Sequence, residues 1–394
     1  MDIQLASRVQ RVKPSPTMSI TARAEAMRTA GKDVISLSAG EPDFDTPEHI
    51  KAAAVAAIAR GDTKYTSVDG TPSLKRAIRA KLRRDQGLDC NDGEILVSSG
   101  AKHSIFNLGA ALLNPGDEAV IPAPYWVSYP DMVRLVGAEP IVVAAGQSQG
   151  FKITAGQLEA ALTPRTRLFV LNSPNNPSGA VYSREELAAL GAVLERQAQV
   201  VVLTDDIYEH ITWPEQPFVS LLATTPSLRP RTVVVNGVSK GYAMTGWRIG
   251  YAAGPEPLIA AMAKVQSQST SNPSSVSQAA AEAALTGDQS CIEPMRRAYR
   301  DRHDYVVDRL AALQGVTCRS SGGTFYCLPN VEGAIERTAG VDDDVDLAEY
   351  LLQQAGVALV PGSAFGLPGH LRLSFAAGME VLEAAMDRLA TALR

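Results

Sequence analysis

Two cations stand in a run that otherwise reads as protein core. In VVVNGVSKGYAMTGWRIGYAAG, from Val233 to Gly254, Lys240 and Arg248 are flanked by small and apolar residues. A loop lysine is most often a solvated surface charge. In an apolar frame its pKa falls, and the neutral amine can attack a carbonyl carbon and form an imine. An arginine in such a frame is typically held by a carboxylate or a phosphate.

Other positions could complete such a site. The stretch EILVSSG ends at Gly100, and a helix is expected from Ala101. Free backbone N–H groups and the positive end of the helix dipole make an anion site there, although ordinary strand-to-helix turns share the pattern. The apolar run VVVLTDD closes on Asp205 and Asp206. A carboxylate at the end of a buried strand needs a partner, and a cationic ring nitrogen would serve. Capping a short helix or a structural ion pair would serve as well. Asn175 and Asn176 fall in SPNNPSG, where asparagines usually form Asx-turns. Arg372 alternates with Leu371 and Leu373 in HLRLSFA. Strand arginines usually face solvent, and carboxylate binding is the functional alternative. Together, Gly100, Ser239 and Arg248 outline a phosphate site, Lys240 an imine-forming lysine and Asp205 a buried acid. Those are the parts a pyridoxal phosphate enzyme needs.

The elements that must hold these residues alternate between strand and helix. EILVSSG, EAVIPAPYW, EPIVVAA, LFVLNSPN, VVVLTDD and TVVVNG read as strands, most of them continuous apolar runs. SREELAALGAVLERQ opens on Ser183 with Glu186 three residues later, the spacing of a capping box. This alternation predicts an α/β fold whose large domain has a mostly parallel sheet flanked by helices. Ligands of such sheets sit beyond the carboxyl ends of the strands, where these residues cluster. EPMRRAYRDRHDYVVDRLAAL then reads as one long amphipathic helix. Short strands (TFYCLPN, VALVPGSAF, HLRLSFA) and the helix DDDVDLAEYLLQQAG follow, giving a smaller α+β domain. The expected division is residues 1–47 as an N-terminal arm packing with the small domain, 48–290 as the large domain and 291–394 as the small one.

Composition narrows the function classes. The chain has 394 residues, 45% hydrophobic and 20% charged, with a net charge of −5. No clustered basic excess points to nucleic acid or an anionic membrane. Cys90, Cys291, Cys318 and Cys327 have no C-x-x-C spacing, so neither a zinc site nor a disulfide framework is expected. Neither a signal-like segment nor an apolar run of about 18 residues is present, so no membrane span is expected. A cytoplasmic protein with reduced thiols is the expectation.

Six stretches carry a resemblance over essentially the whole chain. SAGEPDFDTP, SGAKHSIFNLGAALLNPGDEAVIPAPYWVSYP, NSPNNPSGAVY, TDDIYEH, SKGYAMTGWRIGY and LRLSFA resemble, in order and spacing, the fold-type-I pyridoxal-phosphate-dependent aminotransferases of class I and II. The likeness is strongest to bacterial aspartate aminotransferases whose relatives also act on prephenate. It implies that Lys240 holds pyridoxal 5'-phosphate, that Asp205 pairs with the pyridine nitrogen, and that Tyr208 and Asn176 donate to the ring oxygen. By the same resemblance Trp126 stacks on the ring, and Gly100, Ala101, Ser239 and Arg248 form the phosphate cup. Lys102, directly after that cup, is counted with the cofactor set as well. Tyr65 matches a tyrosine that reaches the neighbouring subunit's phosphate, which implies a homodimer with shared sites. Arg372 and the Gly40 backbone match the clamp on the substrate α-carboxylate, with Trp126 and Asn176 beside it.

The same likeness addresses substrate choice. Lys102 and Thr17 match positions facing the distal carboxylate of aspartate, and Lys13 a position associated with prephenate. A lysine in a first helical turn is disfavoured by the helix dipole, which favours a functional reason for Lys102. The implied reaction moves an amino group between aspartate, or a similar dicarboxylic amino acid, and 2-oxoglutarate. An aromatic or alanine aminotransferase, or a carbon–sulfur lyase, on the same scaffold is the alternative. A ligand-sensing regulator would need a basic DNA-binding module, which the chain lacks. One departure stands out: GTFY (Gly323 to Tyr326) replaces the subgroup's usual GAFY, and places the Thr324 hydroxyl near the expected substrate side.

Overall fold

The computed structural model describes residues 3–12, 14 and 16–394. Twelve strands are present among them. In chain order they are β1 (Ile35–Ser36), β2 (Ile95–Ser98), β3 (Glu118–Ala123), β4 (Glu139–Ala144), β5 (Thr166–Asn172) and β6 (Val201–Asp205). There follow β7 (Thr232–Gly237), β8 (Gly250–Ala253), β9 (Tyr326–Cys327), β10 (Val357–Ala358), β11 (Val360–Pro361) and β12 (Leu371–Ser374).

Seven strands form the main sheet in the order β2-β8-β7-β6-β5-β3-β4. The ladders from β7 through β6, β5 and β3 to β4 are all parallel. β8 alone runs antiparallel, to β2 on one side and β7 on the other. The expected mostly parallel sheet is therefore present, with one antiparallel insertion that the sequence pattern does not separate. The runs in β2 and β7 are buried at every position because helices cover both faces. One face packs Leu96, Ile121, Val170 and Val233 with Ile105 and Leu108 of helix Ala101–Leu112. The other packs Val120, Phe169 and Val202 with Leu187, Leu190 and Leu194 of helix Arg184–Glu195.

Local signals start and stop these helices as the residues dictate. Ser183 Oγ accepts from Glu186 N at 3.2 Å while Ser183 N donates to the Glu186 carboxylate at 2.7 Å. Such a cap contributes about 0.5–2 kcal/mol. Helix Pro72–Gln86 starts behind Thr71, whose hydroxyl accepts from Leu74 N, and stops at Gly87 with φ +66°. A left-handed residue there suits glycine.

The C-terminal part is built on helix Ile292–Ala311 and the antiparallel sheet β11-β12-β9. Its core also takes in Leu37 and two residues that follow β6, Tyr208 and Ile211. Helix Pro16–Thr29 packs Ala24 beside Val34, Leu352 and Ala358, and β1 pairs in parallel with β10. The segment around Ser38 to Gly40 is thereby brought against the ends of the main sheet. Helix Asp344–Tyr350 widens into a π turn through Ala355 before Gly356.

Candidate active site

A cavity of about 560 Å³ opens at the carboxyl ends of the main strands. Its wall includes Thr17, Gly40, Ala101, Lys102, Trp126, Asn176, Asp205, Tyr208, Ser239, Lys240, Arg248 and Arg372. The topology explains the gathering. Neighbouring parallel strands end at one edge, so Asn172 of β5 and Asp205 of β6 are register partners there.

Lys240 follows β7, and its ammonium donates to the Gly40 carbonyl oxygen at 2.6 Å. Burial pulls its pKa from 10.5 to about 8; Glu41 opposes the shift, while Arg248 and Arg372 add to it. Asp205 is 4% exposed. Tyr129 Oη donates to its Oδ2 at 2.6 Å and Ile207 N to its Oδ1 at 3.3 Å. Burial raises its pKa to about 6 against these two donors and Lys240. Among the described residues, no cation forms an ion pair with this carboxylate.

Arg372 presents the opposite case, a buried cation with no acid paired to it among the described residues. Its Nη1 donates to Asn176 Oδ1 at 3.0 Å and its Nη2 to the Ser38 carbonyl at 2.6 Å. The guanidinium lies between Tyr326 and Phe365, 4.7 and 4.9 Å from their ring centroids. Its Nε has no partner among the described residues. A guanidinium so placed can accept a planar carboxylate in bidentate fashion.

The anion end of the cavity lies at helix Ala101–Leu112. Its N-cap is Gly100, φ +91°, which has no side chain to satisfy the first N–H groups. A Cβ on Gly100 would collide with Arg248 Nη2, so only glycine lets the guanidinium come this close. Among the described residues Arg248 donates to two carbonyls, those of Thr245 at 3.0 Å and Ser99 at 3.4 Å. Its φ of +56° is unusual for a non-glycine residue. Lys102 is exposed, and its ammonium stands 5.0 Å from the Trp126 ring centroid. Partial burial of that end, and then the Arg248 charge, lower its pKa. Thr17 Oγ1 is buried without a hydrogen-bond partner among the described residues.

Two of the residues singled out from the sequence, Tyr65 and Thr324, lie off the cavity wall. Tyr65 is 91% exposed and borders a separate hollow with Arg60, Lys64 and Thr66. Lys13 lies outside the described residues. Thr324 corrects an expectation: it is fully buried and absent from the cavity wall, and its hydroxyl accepts from Tyr326 N at 3.2 Å. That hydroxyl braces Tyr326 instead of facing the cavity.

The structure adds residues that the pattern misses. Tyr326 Oη lies 3.2 Å from Tyr208 Oη. Asn172 donates to the Asp205 carbonyl at 2.9 Å and accepts from Asn176 N at 2.9 Å. Asn175 accepts from Ser178 N at 3.1 Å, three residues on and not the two of an Asx-turn, whereas Asn176 turns its side chain to Arg372. Tyr129 follows Trp126 by about one helical turn, and that spacing is the one available signal for it.

The family model for aminotransferase class I and II matches residues 32–393. The chain belongs to the class I and II aminotransferases. This aminotransferase is 54% identical to the aspartate/prephenate aminotransferase of Nitrosomonas europaea, over 99% of the chain and 100% of that protein. It is 52% identical to the aspartate/prephenate aminotransferase of Cereibacter sphaeroides, over 98% and 97%. Among solved structures, aspartate aminotransferase from Rhizobium meliloti superposes with a TM-score of 0.97 at 50% identity, covering 100% of this chain and 99% of that one. The Thermus thermophilus aspartate aminotransferase with maleate gives 0.93 at 43% identity, covering 99% and 100%. The fold-type-I architecture inferred from the six stretches is thus the architecture of this aminotransferase.

Proposed function

We propose that this aminotransferase holds pyridoxal 5'-phosphate in the cavity and moves an amino group between aspartate and 2-oxoglutarate, with prephenate as a further acceptor. The observation that carries the proposal is one cavity wall shared by a low-pKa amine, Lys240, and a buried guanidinium, Arg372, that has no acid partner among the described residues.

The donor set fits the cofactor group by group. Lys240 offers an amine to the aldehyde, and Asp205 is a buried acid with no ion-pair partner among the described residues. Tyr208 and Asn176 offer polar groups for the ring oxygen, and Trp126 an aromatic face. Gly100, Ala101, Ser239 and Arg248 offer backbone N–H groups, a hydroxyl and a guanidinium to the phosphate. When bound, the cofactor supplies the exchangeable aldehyde and an electron-poor ring that stabilises negative charge at the substrate α-carbon.

The protein's own residues then divide the work. Lys240, with a pKa of about 8, is close enough to neutrality to take a proton from the α-carbon and to return one. Asp205, ionised once a cationic ring nitrogen faces it, keeps that nitrogen protonated. Arg372 grips the α-carboxylate and so fixes the α-carbon near the amine. Trp126 and Tyr326 help to keep water from the reacting atoms.

Preference for a second carboxylate is assigned to the Lys102 ammonium and to the Thr17 hydroxyl, which has no hydrogen-bond partner among the described residues. The maleate held by the Thermus thermophilus relative is a four-carbon dicarboxylate, which supports this reading. Lys13 is retained as the position associated with prephenate. Tyr65 is exposed outside the cavity, and a homodimer with shared sites, in which it would reach a second copy's phosphate, is part of the proposal. The four free cysteines are compatible with a reducing cytoplasm, the compartment included in the proposal. The test is a panel of amino donors against 2-oxoglutarate, with prephenate as alternative acceptor. Aspartate should lead the panel, and a lead by alanine or an aromatic donor would overturn the substrate assignment.

A further inference from the structure

The turn after β6 has two faces. Asp205 and Tyr208 line the cavity. Asp206 and Glu209, each one residue further along, engage helix Pro72–Gln86 and β7 instead. Backbone bonds close the turn, from Glu209 N to the Asp206 carbonyl at 2.9 Å and from Ile211 N to the Tyr208 carbonyl at 2.8 Å.

Donors converge on Glu209 from three directions. The Lys81 ammonium, itself 1% exposed, donates to Oε1. Asn236 Nδ2 of β7 donates to the same oxygen at 2.7 Å. Gln86 Nε2 donates to Oε2 at 2.8 Å and lies 3.2 Å from Asp206 Oδ2. Burial alone would raise the Glu209 carboxyl, but the Lys81 charge, then His210 and the hydrogen bonds, hold it below its ordinary value. Asp85, Glu209 and His210 bring possible ligand atoms within 4.8 Å of one another. Lys81 supplies the positive charge at that cluster, lying 3.6 Å from Asp85 Oδ2 as well.

A buried ion pair is a poor stabiliser, because desolvation offsets most of the attraction. Apolar packing was open to the same helix, which buries Leu74, Ile78 and Leu82. What convergent donors supply, and a leucine cannot, is direction. They fix one carboxylate in one orientation, and Glu209 is the chain neighbour of Tyr208. We infer that the Lys81–Glu209 pair, with Gln86 and Asn236, sets the orientation of the turn and thereby aims Asp205 and Tyr208 into the cavity. Lys81 and Glu209 are positioning residues, acting through the two that face the cofactor.

This inference rests on the functional reading of Asp205 and Tyr208, so the unmodified chain is measured first. Failure of that chain to bind pyridoxal phosphate with a visible absorbance would count against the functional reading itself. The pair is then neutralised at similar volume in the double variant Lys81→Met with Glu209→Gln. Cooperative melting should persist. The pH midpoint of the bound cofactor's spectrum should move by about one unit or more. Turnover should fall by about tenfold while KM for aspartate stays within about threefold. A folded double variant with the original spectral midpoint and turnover would overturn the inference. Should the double variant fail to fold, Gln86→Ala decides, because it removes one donor at a partly exposed helix end. A displaced midpoint in Gln86→Ala supports the positioning role, and an unmoved one overturns it.

Discussion

Lys240 donates a 2.6 Å hydrogen bond to the carbonyl of Gly40, joining segments 200 residues apart. The contact holds the amine at the meeting point of the β7 loop and the N-terminal segment. With its pKa near 8, this amine needs little pH rise to lose its proton. Lys240→Ala should lower turnover by at least about 10⁴-fold and abolish the absorbance change on cofactor binding. Turnover at the unmodified rate in a purified variant would refute the assignment.

Asp205 ties function to a stability cost. In the cofactor-free chain its pKa is raised from 3.8 to about 6, so the folded chain binds more protons than the unfolded one across that window. Stability from this group therefore falls as pH rises from about 3.8 to 6, and the full cost is present above 6. Asp205→Asn should stabilise the cofactor-free chain by about 3 kcal/mol at pH 7 and by almost nothing near pH 3.5. Denaturant unfolding at the two pH values measures this. A gain of equal size at both would remove burial as the cause. Turnover should fall in the same variant, because asparagine cannot hold a proton on a ring nitrogen by charge.

Arg372 is fixed by two hydrogen bonds and two aromatic faces. Lysine would keep the charge and lose the planar fork. Arg372→Lys should reduce kcat/KM for aspartate by about 100-fold, mostly through KM, with the cofactor spectrum unchanged. A spectral change of the same order as the kinetic one would place the residue nearer the cofactor than the substrate.

Lys102 gives a test of selectivity. Its ammonium stands over Trp126 at the side of the cavity near Arg248. Lys102→Ala should weaken aspartate by about 10- to 100-fold while leaving alanine and phenylalanine within about threefold. Equal losses for all three donors would rule out contact with a distal carboxylate.

Much of this arrangement is legible in residues taken in order, because parallel strands end at a common edge. Lys240, Asp205 and Asn176 each follow or close a strand, and the fold had to bring them together. Other features leave weaker traces. β8 is four small or aromatic residues, Gly250 to Ala253, without the β-branched run that marks its neighbours. Ser38 holds Arg372 through a backbone carbonyl, and a carbonyl has no residue type to recognise. Lys75 and Lys81 sit in the charge-rich PSLKRAIRAKLRRDQ, where a lysine suggests a solvated face, yet both are buried beside acids. Thr324 is legible as a departure, but its left-handed backbone (φ +65°) and its bond to Tyr326 depend on the folded loop.

Arg372 touches Ser38, Asn176, Tyr326 and Phe365, four contacts drawn from widely separated stretches of chain. Translation delivers Lys240 well before it: at about 5–20 residues per second, the roughly 130 residues between them take on the order of 7–26 s. During that interval the amine and the acid exist without the guanidinium assigned to hold the substrate's α-carboxylate. Anchoring of the α-carboxylate is thus acquired after the reactive groups, whereas Lys102 and Thr17, assigned to the distal carboxylate, are translated before them.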